Sequence, residues 1–291
     1  SDAGHEESAA VRLFVERARA VWGGLELNAS ALAAIAEICR RLDGLPLALE
    51  LAAARTRTLS VEEIAERLED RFALLGRGSE RRRTLAGVVE WSYDLLGEDE
   101  QALFRRLSVF PSSFGLAAAE EVCSGAGLEA AGVADLLASL VDRSMVATSG
   151  SGPDRFRLLE TLREFGRAES EARGERIGVA RRHAVWAAGI AEEGHARVWN
   201  EGLEAGTRSF GPRRADFEAG VDLAFAIRDA DLALALASAL GTLGFLFACG
   251  PEDRARVEAA LALPGGALER RLRCMRELAV RVALQPILVA E

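Results

Sequence analysis

Between Cys39 and Arg55 the chain reads CRRLDGLPLALELAAAR, which sets Asp-Gly and a proline inside an otherwise Ala/Leu-rich helical run. No single helix passes through that stretch. Gly44 ends a helix in the left-handed conformation without a Cβ penalty, and Pro46 suits the first turn of the next helix, where its missing N–H costs nothing. The segment is held to a helix, a tight corner and a second helix.

The surrounding composition extends that reading. Aromatic residues are 6% of the chain while Ala, Leu, Arg and Glu abound, which favours helices packed on small residues over an all-β architecture. The length, 291 residues, makes two or three domains the expectation. All 36 basic residues are Arg. Without lysine, a phosphate-binding loop of the form G-x-x-x-x-G-K-[ST] cannot exist here, and lysine Schiff-base catalysis is excluded. Cys39, Cys123, Cys249 and Cys274 are widely spaced in apolar contexts without a C-x-x-C pair, as expected of small buried residues in a reducing cytosol. No basic and apolar leader opens the sequence, so a cytoplasmic location is expected. Leu232 to Pro251 is free of charge and long enough to span a bilayer, but Gly241, Thr242 and Gly244 interrupt it and Asp229 and Asp231 precede it. It reads as a core helix of a helical array, with no membrane contact.

Three parts follow along the chain. Residues 1–85 are helical; Ser60 and Glu63 form a capping-box pattern, and Arg81, Arg82 and Arg83 close the part as a polar linker. Residues 86–172 hold amphipathic helices and then MVATSGSGPDRFRLL, which alternates around a Ser/Gly/Pro turn as a β-hairpin does. Helices followed by a hairpin make a winged helix-turn-helix. Residues 173–291 have the Ala-rich helix-pair texture of a tetratricopeptide-like (TPR-like) array, without a clean repeat of fixed period. The fold class is therefore mostly α: a small helical domain, a winged helix with a short hairpin wing, and TPR-like helices.

Charge is unevenly spread. Residues 86–172 carry 15 acidic residues against 7 Arg, whereas 1–85 carry 14 against 13 and 173–291 carry 16 against 16. The expected recognition helix, Leu128 to Arg143, offers Arg143 alone against Glu129, Asp135 and Asp142. Such a face repels phosphates, so this domain is expected to pack on protein and not to read DNA. No catalytic constellation stands out. His183 and His195 lack metal-ligand spacing and a Ser or Cys partner in sequence, and His183, after two arginines, reads as a surface residue; His5 lies near the N-terminus. Trp91, Tyr93, Leu95 and Leu96 in WSYDLL are expected in the core, with Ser92 and Asp94 facing solvent. The acidic pairs at Glu62–Glu63 and Glu98–Glu100 read as first-turn charges favoured by the helix dipole.

RRLDGLPLALELAAAR, followed in order by ERLEDRFALL, RTLAGVVEWSYDLLGEDEQALFRRLSVFPSSF, LLASLVDRSMV and FRLLETLREFGR, resembles the C-terminal half of the NB-ARC (STAND-type) signal-transduction ATPases found in large bacterial regulators of the LuxR and antibiotic-regulator kind. The likeness runs from about Ala9 to Phe165. It implies that Gly44, Leu45 and Pro46 form the adenine-side edge of an ADP or ATP site, the corner offering a rigid apolar face and free N–H groups. It also implies a winged helix that closes over ADP and opens on exchange. Two departures accompany it. The P-loop and the acidic magnesium-binding strand are absent, so no cofactor is expected for this chain alone, and ADP or ATP with Mg is implied only when an upstream nucleotide-binding domain is joined to it. Where relatives carry Met-His-Asp, this chain has Leu158, Leu159 and Glu160, with no imidazole for a β-phosphate. The expected role is a regulatory module without catalysis of its own, working through the upstream domain and through protein partners of the repeats. The alternatives are a stand-alone helical-repeat adaptor and a winged-helix DNA-binding regulator.

Overall fold

A computed structural model of the chain describes residues 9–24, 27–42, 44–74, 80–148, 152–246 and 251–288. His5 and Cys249 lie outside them, as does Asp43 beside the corner. The chain forms two compact units, one of Ser1–Ser108 with Gly125–Glu169 and the other of Val109–Ser124 with Ser170–Glu291. The units are interleaved in sequence, a pattern that composition does not report.

Unit 1 opens with α1 (Ala9–Val21), α2 (Ala29–Arg41) and α3 (Pro46–Ala54), which runs on as a 3₁₀ turn, Arg55–Arg57. Asn28 starts α2 by accepting the Ala31 N–H at 2.8 Å. α3 is buried from Ala48 to Ala54 apart from half-buried Glu50, as a helix apolar nearly all round must be, and it packs on α1 and on the helix at Glu80–Asp94. The capping box at α4 (Val61–Leu74) is formed: Ser60 N–H donates to Glu63 Oε2 at 2.8 Å, and Glu63 N–H to Ser60 Oγ at 3.2 Å. Next comes α5 (Glu80–Asp94), so Arg81 to Arg83 sit in a helix and not in a linker; no glycine or proline falls between Glu80 and Ala86 to break its first turns. Trp91, Tyr93 and Leu96 are buried as expected, but so is Ser92, because α5 is covered by both α3 and α4. Leu95 is half-buried and Asp94 is exposed.

The winged helix-turn-helix runs through α6 (Glu98–Leu107), α7 (Leu116–Cys123), α8 (Val133–Asp142), the strands β1 (Ala147–Thr148) and β2 (Phe156–Arg157), and α9 (Glu160–Ala172). β1 and β2 pair antiparallel, Ala147 opposite Arg157 and Thr148 opposite Phe156. The recognition helix starts at Val133 rather than Leu128. Gly125 and Leu128 close a tight turn on each other, Arg106 locks it by donating to the Gly125 and Ala126 carbonyls at 2.6 and 3.2 Å, and a 3₁₀ turn, Ala130–Gly132, intervenes.

Unit 2 takes in α7 and continues with α10 (Arg176–Glu201), α11 (Leu203–Phe210), α12 (Arg214–Ala226), α13 (Ala230–Leu246), α14 (Pro251–Ala262) and α15 (Leu268–Leu288). α10 packs against α7, α11, α12 and α13, and α13 also against α12, α14 and α15. Small residues set the spacing: a Cβ on Gly194 would lie 2.5 Å from the Phe210 ring. α13 is buried without a break from Leu232 to Leu243, and among the described residues no helix is long and apolar enough to cross a membrane. His183 is not a surface residue. Val179, His183 and Ala187 fall four residues apart on the inner stripe of α10, and His183 Nε2 lies 2.9 Å from Asp216 Oδ1.

Candidate functional site: the Gly44–Pro46 corner and the winged helix

The corner has the backbone its residues call for. Gly44 sits at φ +63, and its N–H donates to the Cys39 carbonyl at 3.0 Å, which seals the end of α2. Leu45 is extended (φ −66, ψ 117) as the N-cap of α3, with Pro46 in the first turn. Gly44 and Pro46 are exposed and Leu45 is half-buried, so the corner is the open tip of an otherwise buried helix.

Its donors differ from the expectation. The Leu45 N–H turns back to the Leu42 carbonyl at 3.0 Å, so the N–H groups of Gly44 and Leu45 both serve the turn itself. The donors without an acceptor inside α3 are those of Leu47 and Ala48 in its first turn. The cations at the end of α2 are engaged as well: Arg40 and Arg41 both bond Glu37, and those hydrogen bonds, Arg40's first, hold the Glu37 carboxyl at about 2. What the corner presents is an apolar edge, Leu45 with Pro46. The Cys39 thiol behind it is buried, which pushes it up to about 11 and leaves it inert.

The winged helix is organised around Glu100, at the third position of α6. One carboxylate oxygen accepts the Gly97 N–H at 2.8 Å and caps the helix. The other accepts the Ser139 hydroxyl from α8 and faces Arg143 Nε at 3.3 Å. The one cation at this end of α8 is therefore committed to a carboxylate of its own unit. The outward positions of α8 are Asp135, Ala138 and Asp142, and Asp142 pairs with Arg57 from the 3₁₀ turn that prolongs α3. Two residues earlier, Arg55 is 2% exposed and donates from Nη2 to the Ser92 carbonyl at 3.1 Å, while its Nε has no partner. Burial, and then the charge of Arg143, pull this guanidinium down to about 10. At the wing, Phe156 is buried, Arg155 lies over its ring at 4.9 Å, and Arg157 is exposed.

One segment thus joins the corner to the recognition helix. α3 begins at Pro46 and ends in Arg55 and Arg57, which reach α5 and α8. The sequence signals Arg55, a cation closing the run LALELAAAR, but not its partner in α5. Glu100 is legible as a cap, whereas its bond to Ser139 is not. Leu158 is buried and Glu160 exposed at the start of α9.

In unit 2, His195 does have a serine partner, Ser238 Oγ at 3.0 Å. The pair is not a nucleophile and its base. Ser238 donates its hydroxyl to the Ala235 carbonyl at 2.8 Å, so His195 Nε2 carries a proton toward Oγ and cannot take one from it. Both side chains are buried, and burial pushes His195 down to about 3. Among the described residues no three His, Cys, Asp or Glu side chains converge as a metal-binding group.

Residues 96–170 match the winged helix-turn-helix domain family. The chain is 48% identical over 161 residues to a protein of Mycobacterium tuberculosis (strain CDC 1551 / Oshkosh) named as an HTH-type transcriptional regulator, covering 54% of this chain and 18% of that protein. A protein of the same designation in Mycobacterium bovis matches equally. It is also 40% identical over 180 residues to an uncharacterized protein of Mycobacterium tuberculosis (strain ATCC 25618 / H37Rv), covering 60% of this chain and 46% of that protein. The chain thus spans about a fifth of the first two relatives and under half of the third.

Proposed function

We propose that this chain is a regulatory part of a transcriptional regulator, in which the helical segment bearing Gly44, Leu45 and Pro46 controls the winged helix. The family match at 96–170 and the name of the relatives support the regulator. The observation that carries the control is the continuous path from the corner through α3 to Arg55 and Arg57, and from there to Ser92 and Asp142. A ligand that moves the corner moves the 3₁₀ turn, and with it the end of α8.

We read that ligand as ADP or ATP, held mainly by an upstream P-loop domain, with Leu45 and Pro46 stacking on the base. Arg40 and Arg41 are engaged by Glu37, so this chain would contribute apolar contact and not phosphate charge. The chain alone would neither hydrolyse ATP nor need Mg. Protein partners would dock on the helices after residue 173. The test is to isolate the native polypeptide from its cells with an antibody to residues 86–172 and extract its nucleotide. The reading expects a polypeptide much larger than 31.1 kDa carrying about one ADP or ATP. A polypeptide of that larger size without nucleotide overturns the switch, and one of 31.1 kDa overturns the upstream domain.

A second reading has its own observation. Arg155 and Arg157 sit exposed on the wing, and a wing can meet a phosphate backbone even when the recognition helix is acidic. Retention on duplex DNA that weakens steeply with salt and is lost on Arg155→Ala with Arg157→Ala would favour direct DNA contact; retention unchanged by the pair of substitutions would count against it.

A further inference from the structure

In unit 2, α15 turns one side inward and leaves an apolar one outside. The Cys274 thiol donates to the Leu234 carbonyl at 3.3 Å, and a Cβ on Gly241 would meet Glu277 Cβ at 3.2 Å, so Cys274 and Glu277 mark the side that packs on α13. Leu268, Leu272, Met275 and Ala279 lie on the other side. All four are exposed, the first three by 71%, 56% and 50%. Single exposed apolar side chains are ordinary on a protein surface, but a run at spacings of 4, 3 and 4 residues is the seam of a two-stranded coiled coil.

The residues beside the seam say what fits it. At about 100° per residue, Glu269 and Arg276 fall on one flank, and Arg271 and Leu278 on the other. A second copy of the chain laid parallel would bring Arg271 of one against Arg276 of the other, a like-charge contact. Laid antiparallel, each flank meets itself across a two-fold axis: Glu269 faces Arg276 twice, Leu272 packs on Met275, and Leu268 on Ala279. Within α15 Glu269 pairs with Arg273 and Arg276 with Glu277, and both stay at the surface, with side chains 85% and 51% exposed.

We infer that this face is a self-association surface: two copies of the chain pack antiparallel along α15, with Leu268, Leu272, Met275 and Ala279 as the seam and two Glu269–Arg276 pairs closing it. The seam is about 18 Å long. A contact of that length is at the low end of interface size, so the dimer is weak, with a dissociation constant on the order of 10 µM. Each dimer carries two winged helices, which makes the concentration of the chain an input to the regulator. This gives the protein docking assigned above to the helices after residue 173 one occupant, and it rests on that part of the reading alone. No nucleotide enters the experiment, so a monomeric chain leaves the switch standing, and a nucleotide-free native protein leaves this contact standing.

Sedimentation equilibrium of the intact chain, from about 1 to about 300 µM, should show one step from 31.1 kDa to twice that mass. Leu272→Glu with Met275→Glu should weaken association about 100-fold without lowering the melting temperature, because both side chains already face water. Glu269→Arg alone and Arg276→Glu alone should each weaken it about tenfold. An equimolar mixture of those two single variants should recover the dimer, since the antiparallel register then sets opposite charges at both sites; the mixture decides the question even where the double variant melts earlier. The inference fails if the chain stays monomeric throughout, if the double variant associates like the parent, or if the mixture associates no better than either variant alone. It fails equally if species larger than a dimer accumulate, as a head-to-tail contact would give.

Discussion

Unit 1 buries a charge that stays, and unit 2 buries one that is given up. Arg55 remains a guanidinium at any ordinary pH even at about 10, so the fold must answer it with the Ser92 carbonyl and the nearby carboxylate of Glu100. His195 takes the other route: held at about 3 by burial and by the charge of Arg273, it is neutral and needs only Ser238. A permanent buried charge ties distant segments together, here the end of α3 to α5, and makes their separation costly. A titratable one leaves the packing to neighbouring helices and makes it sensitive to acid.

Removing the carboxylate should break the comparison most severely. Glu100→Ala leaves Arg55 and Arg143 facing each other and takes the Ser139 acceptor away, so unit 1 should lose about 3 kcal/mol while unit 2 keeps its protection. Peptide-resolved hydrogen exchange reads the two units separately. Equal loss in both would mean that the units do not differ in this way.

Acid should act the other way round. His195 has its folded pKa below the ordinary 6.5, so the unfolded chain binds the extra proton, and unit 2 loses stability as pH falls from 6.5 toward 3. The slope approaches about 1.4 kcal/mol per pH unit, or about 2–3 kcal/mol by pH 4.5. His195→Gln should flatten this slope in urea titrations at stepped pH; an unchanged slope would assign it to other groups.

A smaller effect sharpens the contrast in packing. Gly194→Ala drives a methyl group into the Phe210 ring and should cost unit 2 about 2 kcal/mol, read as a lowered urea midpoint with unit 1 unmoved. Least of all, Arg57→Ala should change stability by under about 0.5 kcal/mol, because Arg57 and Asp142 are 58% and 54% exposed. A larger loss in thermal melts would mean that this contact holds the fold.

Local chemistry was legible, and distant partnership was not. The turn at Gly44 and Pro46, the capping box at Ser60 and Glu63, and the pairing of Ala147–Thr148 with Phe156–Arg157 follow from residues within about ten positions of one another. The burial of Ser92 and His183 depends on which helices cover α5 and α10, and no local pattern carries that information. The start of α8 slipped from Leu128 to Val133 for the same reason, since Arg106 locks the preceding turn from a different helix. At the corner the apolar edge was readable, whereas the fate of the N–H groups depended on how tightly the turn closed.

The buried thiols give each unit a built-in clock. Cys39 lies under the corner in unit 1, and Cys274 lies in unit 2 with Sγ 3.3 Å from the Leu234 carbonyl and its thiol pushed up to about 12. Neither reacts with an alkylating reagent while its helix stays packed, so the rate at which each one labels reports how often its neighbourhood opens. Mass spectrometry of the tagged peptides therefore compares the opening around α2 and around α15 in one tube, without a mutation.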